Sequence, residues 1–314
     1  MNKGFNNKKD NAAKLRFWGL MAVAAVLLCV TVFMVKGRSS DLFEVSFLDV
    51  GNGDSAMLKT PKGDLILIDG GEAPNYKNAV VPAMAEHWRF KADKAIVTHF
   101  HSDHAGGIQE LVRAGLSREL YMPDVEENED EDTIKDDLVS NAVKNNIHYE
   151  YLSRNDKIEP KDKNLKIDVL FPDNGVFANE EKNVNNDSLV LRVQYFDTVF
   201  MFTGDLESDA EQVLVNSGNL DSDVLKVGHH GSDTSTSEQF LNAVSPKIVV
   251  ISVGAKNKYG HPRPEVIKRL KNTGVKILRT DRNGKIVIYT AEGGIQKISM
   301  DRMAAKQELT DGNT

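Results

Sequence analysis

Cysteine is almost absent from this chain. Cys29 is the only one in 314 residues, so no internal disulfide and no thiolate metal site can form, and any metal must be held by His, Asp or Glu. Positive charge is also scarce beyond the amino terminus. With the seven Lys/Arg and one Asp of residues 1–38 set aside, 32 basic side chains face 45 acidic ones, a formal charge of −13. That is not the footprint of a sequence-independent nucleic-acid binder, whose affinity comes largely from Lys and Arg on phosphates. No internal repeat is present. The acidic stretch between Asp124 and Asp137 lacks the order and the glycine of an EF-hand loop, so it reads as a solvated excursion leading into a helix.

Long apolar runs are missing too, with one exception. Residues 17–35 are nineteen positions without a charge, which at the helical rise nearly matches a hydrocarbon core about 30 Å thick. Lys3, Lys8, Lys9, Lys14 and Arg16 precede it against Asp10 alone, while only Lys36 and Arg38 follow closely. This asymmetry places the amino terminus in the cytoplasm and the remainder outside. A cleaved signal peptide would share the basic start and apolar centre, but the run is long and no A-x-A-like site follows it, which favours an uncleaved anchor. The expected organisation is a cytoplasmic basic tail over 1–16, a transmembrane anchor over 17–35, a linker over 36–42, a hydrolase domain over 43–302 and a disordered tail over 303–314.

What is present in abundance is histidine at one place. His99, His101 and His104, with Asp103, fall within six positions where the apolar run Ala95, Ile96, Val97 gives out. Imidazoles and carboxylates are the ligands that Zn²⁺, Mn²⁺ or Fe²⁺ take from a protein. The surroundings fit a strand-to-helix turn: residues 93–98 read as a short buried strand, Gly106 and Gly107 permit a tight turn, and Ile108 opens a helical pattern. On an extended segment His99 and His101 emerge on one side, with Asp103 and His104 beyond them, which favours two neighbouring metals over one.

Strand patterns recur along the rest of the chain, at 43–50, 55–60, 65–71, 165–171, 188–193, 198–203, 224–227, 247–252, 276–278 and 285–289, with helical patterns at 78–89, 208–217, 237–244 and 264–273. Strands with helices on both outer sides predict a layered α/β protein in which two sheets pack face to face. Three later strand ends carry polar residues that would complete a site: Asp205 after Thr203 and Gly204, the pair His229 and His230, and His261 after Gly260. Polar residues gathered at strand ends on a rigid scaffold are where chemistry concentrates.

With those residues in place the chain resembles the metallo-β-lactamase superfamily, and within it the extracytoplasmic hydrolase domain of ComEC-type DNA-uptake competence proteins. The resemblance rests on Phe47 to Ser55, Leu67 to Gly71, the His99 to His104 motif, Asn185 to Leu191, Thr203 to Asp205, His229 to Ser232 and Tyr259 to Pro262, and covers about residues 43–290. It implies an αββα sandwich with a two-metal site, the metals being Zn or Mn. His99 and His101 would hold one metal, Asp103 and His104 the second, with Asp205 bridging. A late histidine completes the set, His230 being chosen over His261 because the histidine pair closes a strand directly after the bridging block. Asp69 and Asp49 would orient ligands. Asp103, His229 and His261 are the candidate catalytic side chains, either histidine serving as proton donor to the leaving oxygen. The chain departs from the family pattern at Asn185 and Asn186, where a third histidine often precedes the bridging Asp. It departs from the competence proteins in having one apolar segment rather than a multi-helix channel.

The implied function is a membrane-anchored extracytoplasmic phosphodiesterase or nuclease, in which a hydroxide activated by two metals attacks phosphorus. The substrate would be DNA or a cell-wall polymer. The competing readings are hydrolysis of an amide, thioester or lactam by the same ligands, a phosphorylcholine-type wall esterase, and a metal-stabilised binding module.

Overall fold

The computed structural model describes residues 14, 16–30, 41–125, 132–173 and 183–302. The chain divides into two compact units, Met1–Ser40 and Asp41–Thr314. In the first, residues 16–30 form helix α1 with exposed side chains. Among the described residues no helix is long and apolar enough to cross a membrane. Residues 31–35 of the expected anchor, residues 126–131 of the acidic stretch and the expected tail lie outside the described residues.

The second unit begins with β1 (Phe43–Phe47), β2 (Ala56–Lys59) and β3 (Leu65–Ile68), followed by helix α2 (Val81–Glu86). Next come β4 (Ala92–Ile96), α3 (Ser102–Arg113), β5 (Ser117–Pro123), α4 (Asp132–Lys144) and β6 (His148–Leu152). After β7 (Lys157–Ile158), β8 (Leu165–Phe171), β9 (Val190–Tyr195) and β10 (Thr198–Phe202), strand and helix alternate through α5 (Ser208–Ser217), β11 (Val224–Lys226), α6 (Glu238–Val244), β12 (Ile248–Ile251), α7 (Pro264–Asn272) and β13 (Lys276–Arg279). A short turn, α8 (Thr280–Asn283), leads to the closing hairpin of β14 (Ile286–Ala291) and β15 (Gly294–Met300).

One sheet runs β15-β14-β1-β2-β3-β4-β5-β6 and the other β13-β12-β11-β10-β9-β8-β7. Central strands such as β3 and β12 are apolar on both faces because each sheet is covered twice there. In β3, Ile66 and Ile68 meet the opposite sheet while Leu65 and Leu67 pack among residues of α2 and α3; in β12, Ile248 and Val250 face inward while Val249 and Ile251 join the cluster under α5, α6 and α7. Phe43, stacked on Tyr195 at 4.7 Å, and Phe47, stacked on Phe202 at 5.8 Å, tie the sheets together. The result is the expected αββα sandwich. Strands β3 to β6 are parallel, as are β10 to β13, so the carboxyl ends of β4, β10, β11 and β12 can gather at one edge.

Two local expectations differ. The helix expected at 78–89 is a π-helical turn, Tyr76–Val80, running into α2 and stopping at His87, because Trp88 takes a positive φ of 56° that ends the helix. Gly106 and Gly107 are not a turn; α3 already starts at Ser102 and both glycines are inside it. They are small for a different reason. A Cβ on Gly107 would sit 2.1 Å from Gly70 O, and one on Gly70 would sit 2.6 Å from Ile108 N. The loop after β3 and the first turns of α3 therefore touch backbone to backbone, joined by Gly70 N to His104 O at 2.8 Å and Gly107 N to Gly71 O at 2.7 Å.

Candidate metal centre

Asp69 organises the histidine motif from below. At the end of β3 it takes a positive φ of 57°, and its carboxylate accepts Thr98 N at 2.8 Å, Thr98 Oγ1 at 2.7 Å and His104 Nδ1 at 2.9 Å. These bonds hold the strand-to-helix passage so that His99 leaves the strand end, His101 caps α3, and Asp103 and His104 occupy its first turn. Because Nδ1 of His104 is taken by a carboxylate, its Nε2 points into the site, the arrangement that metal-ligating imidazoles generally have.

The second sheet contributes the rest. Asp205 follows the end of β10, with its backbone N bonded to Ser188 Oγ at 3.1 Å. His229 and His230 follow β11, and both are left-handed, with φ 47° and 54°. They do not continue the strand but form a tight turn, in which Val227 pairs with Val250 and Ser232 N closes on His229 O at 2.8 Å. The rings still diverge, at 72°. His230 Nδ1 bonds Ser252 O at 3.1 Å, which turns its Nε2 inward.

The inward atoms form two groups that share Asp205. In one, His104 Nε2 stands 3.3 Å from His230 Nε2 and 3.2 Å from Asp205 Oδ1, and His230 Nε2 lies 3.3 Å from Asp103 Oδ2. In the other, His99 Nε2 lies 3.1 Å from His101 Nδ1 and 4.0 Å from Asp205 Oδ2. His99, His104, Asp205 and His230 are all almost completely buried. Asp205 Oδ1 is buried without a hydrogen-bond partner. Inward-facing imidazole nitrogens at this spacing, around an orphaned carboxylate oxygen, suit a divalent cation, whose charge a neutral imidazole and a carboxylate can share. The donor set therefore fits divalent metal binding.

Electrostatics in the metal-free protein follow the same geometry. Burial alone would lower His230, but Asp205, Asp103 and Asp54 outweigh it and push it up to about 9. His104 is likewise raised well above its usual value against burial by Asp205 and Asp69. Burial and the neighbouring His104 hold His99 well below its usual value. Asp103 is held at about 2, the effect of burial being overcome by His230 and His104. Burial together with His229 and His230 lowers His261 to about 4.

The site residues anticipated from sequence all come to this edge, with distinct placements. His229 Nε2 is 3.7 Å from Asp205 Oδ2, and its Nδ1 is 3.3 Å from Glu207 Oε1. His261 stands outside both groups. Its ring is 5.7 Å from that of His229 and stacks on Tyr259 at 5.8 Å, and its Nδ1 is buried without a hydrogen-bond partner. Asn52, His101, Ser102, Asp103, Tyr259 and His261 surround a cleft of about 350 Å³ that opens onto the two groups. Asp49, expected to orient a ligand, instead pairs with Arg302 at 2.5 Å. Asn185 does not reach the centre; its amide donates to Glu207 Oε1 at 3.0 Å, and Asn183 donates to Oε2 at 2.8 Å.

Two groups escaped the sequence reading. Glu207 collects His229, Asn183, Asn185 and Thr234, which hold its carboxyl at about 2. Asp54, on the turn after β1, lies 3.3 Å from His230 Nδ1 and forms an ion pair with Lys226. It can be grouped with His104, Asp205 and His230 by distance. Its oxygens, however, meet the Nδ1 edges of the two imidazoles, at 3.3 Å for His230 and 3.9 Å for His104, while the Nε2 atoms face each other. His104 and His230 would hold an ion through Nε2, and Asp54 stands at their Nδ1 edges.

A profile described as the Metallo-beta-lactamase superfamily matches residues 48–255. The chain belongs to that superfamily. It is 31% identical over 296 residues to ComE operon protein 3 of Bacillus subtilis, covering 88% of this chain and 37% of that protein. It is 32% identical over 256 residues to competence protein ComA of Neisseria gonorrhoeae, covering 80% and 33% respectively. The chain thus spans about a third of the length of these curated relatives, and its likeness to ComEC-type competence proteins is borne out over that span. Among solved structures, Igni18, a metallo hydrolase from Ignicoccus hospitalis, superposes with a TM-score of 0.51 at 16% identity, over 79% of this chain and all of that one, a likeness of fold.

Proposed function

We propose that the chain is a two-metal phosphodiesterase acting on nucleic acid. The observation that carries this reading is the pair of ligand groups sharing Asp205: His104, His230 and Asp103 on one side, His99 and His101 on the other. When bound, two divalent ions in such a site supply an activated water and a clamp on the attacking and leaving oxygens of an in-line displacement. Zn²⁺ and Mn²⁺ both suit the donor set.

The protein's own groups do the rest. Asp69 and Ser252 O hold His104 and His230 by Nδ1, leaving Nε2 free. His229, tethered by Glu207 and open to the cleft, delivers the proton to the leaving oxygen. His261, lowered to about 4, is neutral near neutral pH and accepts rather than donates, so of the two histidines His229 is the acid. The names of the relatives, competence proteins, support a nucleic-acid substrate over a wall polymer. The acidic surface limits this to local engagement of one phosphodiester rather than tight binding along a long polyanion.

Hydrolysis of bis(p-nitrophenyl) phosphate with Mn²⁺ or Zn²⁺, followed by single-stranded DNA, teichoic acid, a phosphorylcholine ester and a β-lactam, tests the reading. Diester and DNA cleavage lost in Asp205→Ala is expected. Turnover confined to the lactam, or independent of Asp205, refutes it.

We also propose that residues 17–35 tether the protein to a membrane with the catalytic unit outside, supported by the uncharged run and the five basic residues ahead of it. Alkaline phosphatase fused after residue 42 reports export; an inactive fusion in cells overturns this placement.

A further inference from the structure

Lys226 closes β11, one residue before the turn that carries His229 and His230, and it is only 3% exposed. Its ammonium does not face the cleft. It forms an ion pair with Asp54 across the gap between the sheets and lies 3.5 Å from Gly204 O, beside the bridging Asp205. Asp54, 6% exposed, is fixed at its backbone as well, with its N bonded to Asp103 O at 3.1 Å and its carbonyl receiving Gly71 N at 2.7 Å. Behind the ligands this pair borders a small enclosed space lined by Phe47, Ile68, Phe202, Thr98 and Ser252.

Such a pair is an odd choice for stability. Burying two charges costs several kcal/mol per ion before their attraction is counted, and replacing a buried ion pair with apolar residues of similar volume is often neutral or stabilising. Its location offers another purpose. Each of the two inward-facing histidines presents its Nδ1 edge toward Asp54, and neither draws its Nδ1 hydrogen bond from it: His104 bonds Asp69 and His230 bonds Ser252 O. A fixed negative charge behind both rings favours a proton on each Nδ1 and so leaves both Nε2 atoms as lone-pair donors.

We infer that Lys226 and Asp54 form a positioning couple for the metal centre: Lys226 locks Asp54 between the sheets, and the charge of Asp54 reinforces the Nδ1-protonated tautomer that Asp69 gives His104 and Ser252 O gives His230, without ligating the ion itself. The inference concerns the ligand geometry beneath the proposed phosphodiesterase and does not depend on its substrate. Neither residue touches substrate.

The test measures metal affinity and histidine tautomer on the full chain, with Mn²⁺ and Zn²⁺ alone as probes. Lys226→Met, Asp54→Asn and the double variant are titrated against a chromophoric chelator, alongside thermal melting and ¹⁵N spectra of the imidazoles. Each single variant is expected to weaken the tighter metal site about 10- to 100-fold, the range for partners that orient ligands, with His230 or His104 ¹⁵N signals moving toward the Nε2–H tautomer. In the double variant, melting should recover because no unpaired charge is left buried, while affinity stays low. Affinity equal to wild type in the double variant would make the couple merely structural and overturn the inference. Complete loss of the tighter site in Asp54→Asn, with folding intact, would make Asp54 a ligand and overturn it equally. Failure of the nuclease assay would leave these readouts unchanged, so the two readings fail separately.

Discussion

Replacing Asp69 with Asn keeps the shape of the side chain and removes its charge, at the residue whose side chain joins the end of β3 to the histidine motif. In the native protein one carboxylate oxygen receives Thr98 N at 2.8 Å, and the other receives Thr98 Oγ1 at 2.7 Å and His104 Nδ1 at 2.9 Å. An amide can keep the first bond. Its NH₂ then faces His104 Nδ1, which must give up its proton to accept, and the imidazole proton moves to Nε2, the atom 3.3 Å from His230 Nε2 and 3.2 Å from Asp205 Oδ1. The lone pair that would bind a metal is thereby used up. A hydrogen bond to a charged group is worth about 1.5–3 kcal/mol. At about 1.4 kcal/mol per decade, that corresponds to roughly 10- to 100-fold in metal affinity, the range found for partners of ligating histidines. Competition against a chromophoric chelator near neutral pH measures it, with circular dichroism showing that the fold is kept. Wild-type affinity in a folded Asp69→Asn variant would refute the argument that Asp69 sets the tautomer of His104.

Metal should load in two steps, because the group containing His104, His230 and Asp103 is mostly buried, whereas the group of His99 and His101 has no third histidine, Asn185 being committed to Glu207; a calorimetric titration with one uniform step would contradict this. The metal-free protein should lose stability as pH rises from 6.5 toward 9. His230 is raised to about 9 and His104 well above 6.5, and a raised folded-state value contributes fully below the unfolded one and is lost as pH climbs through the folded one. Melting temperatures of chelated protein that stay flat over that window would overturn the sign. Phe43→Ala should cost about 3–5 kcal/mol in urea unfolding, since the ring is fully buried against Tyr195 and Phe200; a loss under about 1 kcal/mol would mean that the sheets collapse into the gap.

The sandwich was legible because its strands are short apolar runs and its outer helices carry the helical period, both local signals. The histidine motif was legible for the same reason: its ligands are neighbours in sequence. Glycines misled where their use was not local. Gly106 and Gly107 look like punctuation, yet they are helical and small because backbone some 35 residues earlier presses against them, Glu72 and Ala73 on Gly106 and Gly70 on Gly107. Asp54 fell inside the Phe47 to Ser55 block without a role of its own, and Glu207 and Lys226 carried no distinguishing pattern. The first two sit in turns, where acidic residues are common, and a lysine ending an apolar strand looks like a surface charge. Their partners lie on the opposite sheet or in a distant loop, at His230 for Asp54, Asn185 for Glu207 and Asp54 for Lys226. Only tertiary packing brings such pairs together. The choice of His230 over His261 rested on proximity to the bridging block, and in the structure His230 faces Asp205 while His261 stacks on Tyr259.

The direction of β1 has a practical consequence. It runs antiparallel to β2, which runs antiparallel to β3, so β1 points the same way as β3 and β4 and its last residue, Phe47, lies toward the edge where the histidines gather. Phe43 therefore marks the opposite pole of the sandwich. A substitution at Phe43 is made at the pole away from the metal ligands, so its effect on stability can be read apart from any effect on metal binding.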